Sequence, residues 1–215
     1  MDIVETPHGP IAMLIDSPKE TTEPAILLAH GAGLGQHHPW MVGVRERLVS
    51  VGRTVGTFDY LYMHEGRKAP DRLPKLLDVH EAAARYLQGR VGKLVLAGKS
   101  MGGRVGSHLV AEERFDTVGL VYLGYPLVAM GKTEPRDTSH LEAISVAQLF
   151  ISGTRDRMGP TEAIEKVAGA VPSGSVLLID TGDHSLRPLK RTGRTIDDSL
   201  DTAVVAMESW INAGS

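Results

Sequence analysis

A chain of 215 residues, 42% hydrophobic and 23% charged, has the size and composition of one globular domain with room for a substantial core. Its net charge of −3 supplies no broad basic field, which argues against nucleic acid or an anionic membrane as the main partner. The absence of cysteine excludes disulfides, cysteine–zinc sites and a cysteine nucleophile.

Residues 1–7 hold neither a basic segment nor an apolar run suited to export, and no apolar stretch approaches membrane-spanning length. A cytoplasmic chain with no membrane partner is therefore expected. Residues 2–15 read as a hairpin, with strands at 2–5 and 11–15 around Pro7-His8-Gly9-Pro10; the two prolines suit a sheet edge. Residues 25–29 are a continuous apolar run, hence a buried strand, ending in the glycine-rich loop His30-Gly31-Ala32-Gly33-Leu34-Gly35. A helix over 39–51 follows, with Met41, Val44, Leu48 and Val51 at helical spacing, then a strand at 54–58 and a loop at 59–71. Leu76, Leu77, His80, Ala83, Ala84 and Leu87 form the stripe of a helix over 73–90, with Gly89 near its end. Strands are expected at 94–97, 118–124, 147–152 and 175–180, and helices at 101–113, 161–169 (Thr161 as its cap) and 197–212. Strands and helices alternate, which predicts a mostly parallel sheet covered on both faces; no repeat or linker marks a second domain.

The centre of the chain is Gly98-Lys99-Ser100-Met101-Gly102, a G-x-S-x-G placed between a buried strand and a helix. That setting gives the pattern a mechanical meaning, a turn so sharp that the flanking positions need glycine, with Ser100 exposed at its apex. Gly103 removes a further Cβ where the helix crosses the sheet. A serine hydroxyl is a poor nucleophile and needs a base that is itself oriented by a third group. In a parallel sheet those partners lie beyond the carboxyl ends of strands. Asp156 and His184 each fall about four residues past a predicted strand end, and the order Ser100, Asp156, His184 suits this architecture. Asp180 and Asp183 compete as the acid, and Asp156 also suits a helix cap or a turn. His37-His38 lacks a carboxylate cluster, so no metal site is expected.

Acyl transfer also needs N–H donors for a tetrahedral oxyanion. Met101, directly after the serine, supplies one; Ala32, with Gly33 as second choice, supplies the other from the post-strand loop. Lys99 either pairs with a carboxylate, Asp59 or Asp156, or attracts an anionic substrate. Residues 125–145 are too short for a cap domain and predict a flap with one short helix, from which Tyr125, Arg136 and His140 contact the substrate.

Together these residues resemble the α/β-hydrolase superfamily over essentially the whole chain. The most similar group is the small dienelactone-hydrolase-like one that includes KANSL3–Tex30-type hydrolase-like proteins. The resemblance is carried by Leu28-Ala-His-Gly-Ala-Gly33, Phe58-Asp-Tyr60, Gly66-Arg67, Pro70-Asp-Arg72, Gly98-Lys-Ser-Met-Gly-Gly-Arg104, Leu123-Gly-Tyr-Pro-Leu127, Gly153-Thr-Arg-Asp156 and Gly182-Asp-His184. It implies an eight-stranded, mostly parallel sheet and a triad at Ser100, Asp156 and His184. One departure is plain: dienelactone hydrolases proper use a cysteine nucleophile, and this chain has none.

The expected activity is a cofactor-free serine hydrolase acting on a small-molecule carboxylic ester or thioester through an acyl-enzyme. Amide or carbon–carbon cleavage would use the same fold, and a non-catalytic binding or assembly module is the competing class. Nothing in the sequence sets an oligomeric state.

Overall fold

The computed structural model describes residues 1–214. An eight-stranded sheet runs in the order β1-β2-β4-β3-β5-β6-β7-β8. The strands are β1 (Asp2–Val4), β2 (Ile11–Asp16), β3 (Thr22–Ala29), β4 (Arg53–Phe58), β5 (Leu94–Lys99), β6 (Gly119–Leu123), β7 (Gln148–Gly153) and β8 (Gly174–Ile179). The hairpin β1–β2 joins β4 antiparallel at one side, and every other pairing is parallel. The mostly parallel α/β architecture expected from the alternation is therefore present.

Period-two alternation within the strands divides the core into two layers. Leu27 and Ala29 of β3, Leu94 and Leu96 of β5 and Tyr122 of β6 face α3 (Leu73–Val91), α4 (Met101–Ala111) and α6 (Thr161–Ala170). Ile26 and Leu28, Val95 and Ala97, and Val121 and Leu123 face α1 (Pro39–Ser50) and α7 (Ile196–Asn212). The central runs 25–29 of β3, 94–97 of β5 and 120–123 of β6 are apolar on both faces because helices cover both.

Boundaries differ from expectation in a few places, each for a local reason. Residues 59–71 contain a single-turn helix, α2 (Leu61–His64), whose buried Leu61 and Tyr62 pack into the core. Thr161 does not cap α6: it is the first helical residue, and Pro160 occupies the cap position without a side-chain bond. The chain's capping box lies instead at the start of α7, where the Thr195 hydroxyl accepts from Asp198 N–H and Asp198 accepts from Thr195 N–H. The stop of α3 is Gly92 at φ 83°, three residues beyond Gly89. The flap is short, with one β-bridge (Val128 to Pro135) and the single-turn helix α5 (Ser139–Glu142). No helix of the described residues is long and apolar enough to cross a membrane.

Candidate active site

Ser100 sits between β5 and α4 with φ 49° and ψ −111°, a strained conformation for a residue with a side chain. The flanking glycines make that turn possible, because a Cβ at either position would strike backbone atoms. A Cβ on Gly98 would lie 2.1 Å from Gly103 N and 2.3 Å from the Gly102 carbonyl carbon. A Cβ on Gly102 would lie 2.4 Å from the Ala29 carbonyl oxygen, at the end of β3. Gly103 does let the helix cross the sheet, with Gly98 O 2.9 Å from its virtual Cβ.

The turn presents Ser100 to His184. Ser100 Oγ donates to His184 Nε2 at 2.8 Å, and His184 Nδ1–H donates to Asp156 Oδ2 at 2.8 Å. Asp156 lies three residues past β7 and His184 five past β8, so neighbouring parallel strands deliver both to one edge of the sheet. The other Asp156 oxygen accepts from Met158 N–H at 2.8 Å. Burial pushes the Asp156 carboxyl up, but the His184 hydrogen bond and charge and the Met158 and Gly159 N–H groups outweigh it, leaving the pKa below the ordinary value. The competing acids are engaged or turned away: Asp183 Oδ1 accepts from Ser185 and Arg187 N–H within its own turn, and Asp180 is exposed.

Ala32 and Met101 both line the cleft at Ser100. Among the described residues, neither N–H has an acceptor within the protein. His30 fixes the direction of the first. Its Nδ1–H donates to Gly31 O at 2.8 Å, while Tyr60 N–H donates to its Nε2 at 3.1 Å. A trans peptide carries its N–H opposite its carbonyl, so holding Gly31 O inward turns Ala32 N–H the other way. Burial lowers the His30 pKa, which suits the neutral ring that both bonds require. Gly33 stands outside the cleft lining; it adopts φ 75°, and its N–H donates to the Tyr62 hydroxyl at 3.4 Å.

Lys99 lines the cleft but makes neither expected ion pair. Its ammonium is buried beneath Trp40, 5.6 Å from the ring centroid, and donates to the His184 carbonyl oxygen. Burial pulls its pKa down to about 8 against the raising effect of Asp156 and Asp183. Asp59 is committed elsewhere, accepting from Gln36 N–H at 2.6 Å. From the other side Trp40 Nε1–H donates to Ser185 O at 2.9 Å, so two carbonyls of the histidine loop are held.

The flap residues divide. Arg136 lines the cleft, whereas Tyr125 and His140 do not. Tyr125 is buried against Tyr122 and Phe150, and His140 stacks on His108 with ring centroids 3.8 Å apart. Both approach Ser107 Oγ, His140 Nε2 at 3.0 Å and the Tyr125 hydroxyl at 3.3 Å. They brace the flap against α4 and stand outside the cleft lining, whereas the sequence placed them at the substrate. Residues without an expected role that the structure brings to the cleft include Arg104, four residues after Ser100 and so on the same helix face. His38 of the adjacent pair caps α1, its Nδ1 accepting from Trp40 N–H, and no cluster that could hold a metal occurs among the described residues. The cleft has a volume of about 480 Å³, and no separate lid covers it among the described residues.

A protein-family model described as "Alpha/beta hydrolase domain" matches residues 22–212. Solved structures agree in fold. Est1E from Butyrivibrio proteoclasticus, in a complex with ferulic acid, is 17% identical with a TM-score of 0.76, over 97% of this chain and 100% of that one. XC6422 from Xanthomonas campestris, described as an α/β serine hydrolase without lid, is 18% identical with a TM-score of 0.75, over 97% and 93%. A thermophilic esterase from Thermogutta terrifontis, malate bound, is 17% identical with a TM-score of 0.74, over 99% and 98%.

Proposed function

This chain belongs to the α/β-hydrolase domain family, and on that premise we propose that it is a serine hydrolase cleaving carboxylic esters or thioesters through an acyl-enzyme. The observation that carries the reading is the continuous hydrogen-bond path from Ser100 Oγ through His184 to Asp156. Ser100 attacks the acyl carbon as His184 Nε2 takes its proton; Asp156 holds the ring in the tautomer with Nδ1 protonated and stabilises the imidazolium. The oxyanion forms between Ala32 and Met101 N–H, which are free to donate and need no reorganisation. The intermediate collapses as His184 returns the proton to the leaving alcohol or thiol. Water, deprotonated by the same imidazole, then releases the acid. No step requires a cofactor, and residues 1–215 act as one domain whose short flap leaves the cleft open to small or extended acyl groups.

Labelling by a fluorophosphonate tests this without a substrate guess, because such probes need a serine already activated by its base. The wild type is expected to label, and Ser100→Ala and His184→Ala to lose labelling. A folded wild type that stays unlabelled refutes the proposal and favours a non-catalytic binding module.

A further inference from the structure

Charged residues elsewhere in this chain show what an arginine does when its role is structural. Arg45, Arg47, Arg53, Arg67, Arg85 and Arg114 each hold a carboxylate at 2.9 Å or less. Three half-buried arginines hold no carboxylate: Arg194 donates to the Thr202 hydroxyl at 3.5 Å on the surface of α7, while the other two line the cleft at Ser100. Arg104 (α4) and Arg136 (flap) have no carboxylate within ion-pair distance and no side-chain hydrogen-bond partner among the described residues. Arg136 Nε is buried with nothing to donate to. Burial, and after it the nearby Arg136 charge, lowers the Arg104 pKa. The one carboxylate in the lining, Asp71, meets Arg67 at 2.8 Å and Lys75 at 3.6 Å through Oδ1, and its buried Oδ2 has no hydrogen-bond partner and pairs with neither cleft arginine.

Two like charges converging on one cavity, partly removed from water, cost free energy unless something negative joins them. A guanidinium pair offers planar donor forks matched to an oxyacid group. We propose that Arg104 and Arg136 form a clamp for an anionic oxyacid group on the substrate, a carboxylate or a phosphate, so that this hydrolase acts on anionic acyl esters or thioesters. The inference rests on the serine hydrolase reading and supplies its substrate class. Arg104 approaches from the helix that begins at the nucleophile, and Arg136 from the flap. The clamp therefore grips an anion distal to the scissile carbonyl and draws the flap toward the bound substrate. Lys99 takes no part in it, its ammonium being held at the His184 carbonyl.

The test compares p-nitrophenyl hemisuccinate with p-nitrophenyl butyrate, acyl groups of equal length of which only the first carries a distal carboxylate. The wild type is expected to prefer the hemisuccinate in kcat/KM by about tenfold or more, with the preference falling as salt rises. Arg104→Gln and Arg136→Gln are each expected to lower that ratio by about tenfold, chiefly through KM, and Arg136→Lys by less, because it keeps the charge and loses the fork. Should a variant fail to fold, calorimetric titration of the wild type with succinate and with inorganic phosphate reads the clamp directly. Tighter succinate assigns a carboxylate, tighter phosphate a phosphoryl group, and binding of neither refutes the clamp. Equal turnover of the two esters by an enzyme that labels with fluorophosphonate refutes the clamp alone; absence of labelling refutes the hydrolase reading beneath it.

Discussion

Lys99→Met separates what the buried lysine costs from what it does. In the folded protein the ammonium is almost fully enclosed, and burial brings its pKa from 10.5 to about 8. At about 1.4 kcal/mol per pKa unit, the charged form destabilises the fold by about 3 kcal/mol at neutral pH. Methionine removes that penalty but leaves the His184 carbonyl without its donor, which costs about 1–3 kcal/mol. The variant is therefore expected to match the wild type in stability or exceed it by up to about 2 kcal/mol, an unusual outcome for loss of a buried hydrogen bond. Its kcat is nevertheless expected to fall by about tenfold or more, because the loop bearing His184 loses one of its two carbonyl anchors and the imidazole drifts from Ser100.

The pH dependence has a fixed sign. Between pH about 8 and 10.5 the unfolded chain keeps the Lys99 proton and the folded chain has released it, so wild-type stability rises with pH across that window. The penalty is complete below the window and gone above it. Methionine has no such proton, and the wild-type-minus-variant difference cancels the tyrosines that titrate nearby. Urea unfolding of both proteins at several pH values reads that difference, and steady-state hydrolysis reads kcat. A variant less stable by more than about 2 kcal/mol at neutral pH refutes the burial cost, as does a difference that stays flat with pH. An unchanged kcat refutes the anchoring of His184.

Two further substitutions probe the turn and the acid. Gly98→Ala drives a methyl group to 2.1 Å from the Gly103 backbone nitrogen, where no side-chain rotation relieves it, so a loss above about 3 kcal/mol in urea unfolding, or failure to fold, is expected. Asp156→Asn keeps an acceptor for Met158 N–H but loses the charge that holds the imidazole tautomer, and it is expected to lower kcat by about three to four orders of magnitude with little change in the far-ultraviolet spectrum.

The fold and the three residues of the hydrogen-bonded path were legible because each follows from short-range geometry. The backbone can turn through Ser100 only if Gly98 and Gly102 are bare, and that constraint appears as glycine in the sequence. Asp156 and His184 stand just past strands whose apolar runs are easy to read, and parallel pairing carries them to one edge. Contacts set by the path of the flap were not legible. Tyr125 leaves β6 beside the cleft, yet Gly124 at φ 75° turns the chain so that its ring enters the core with Tyr122 and Phe150. His140 likewise goes to His108 and Ser107, a choice fixed by how α5 docks on α4.

Lys99 and Arg104 lie between these cases, since simple periodicity places both and chemistry settles what they do. Val95 and Ala97 face α1 and α7, so strand alternation puts Lys99 on that same face, beneath Trp40 and toward the loop bearing His184. A lysine there has carbonyl oxygens above it, and its ammonium answers them. Helical spacing aligns Arg104 with Ser100 on the other side of the turn, where no acceptor is waiting. One cation is thus satisfied by the protein and braces the His184 loop, while the other, joined by Arg136, is left open to the cleft. In a chain of net charge −3, two unpaired guanidinium groups in the cleft at Ser100 make sense under the clamp proposal, in which the molecule they meet brings the missing negative charge.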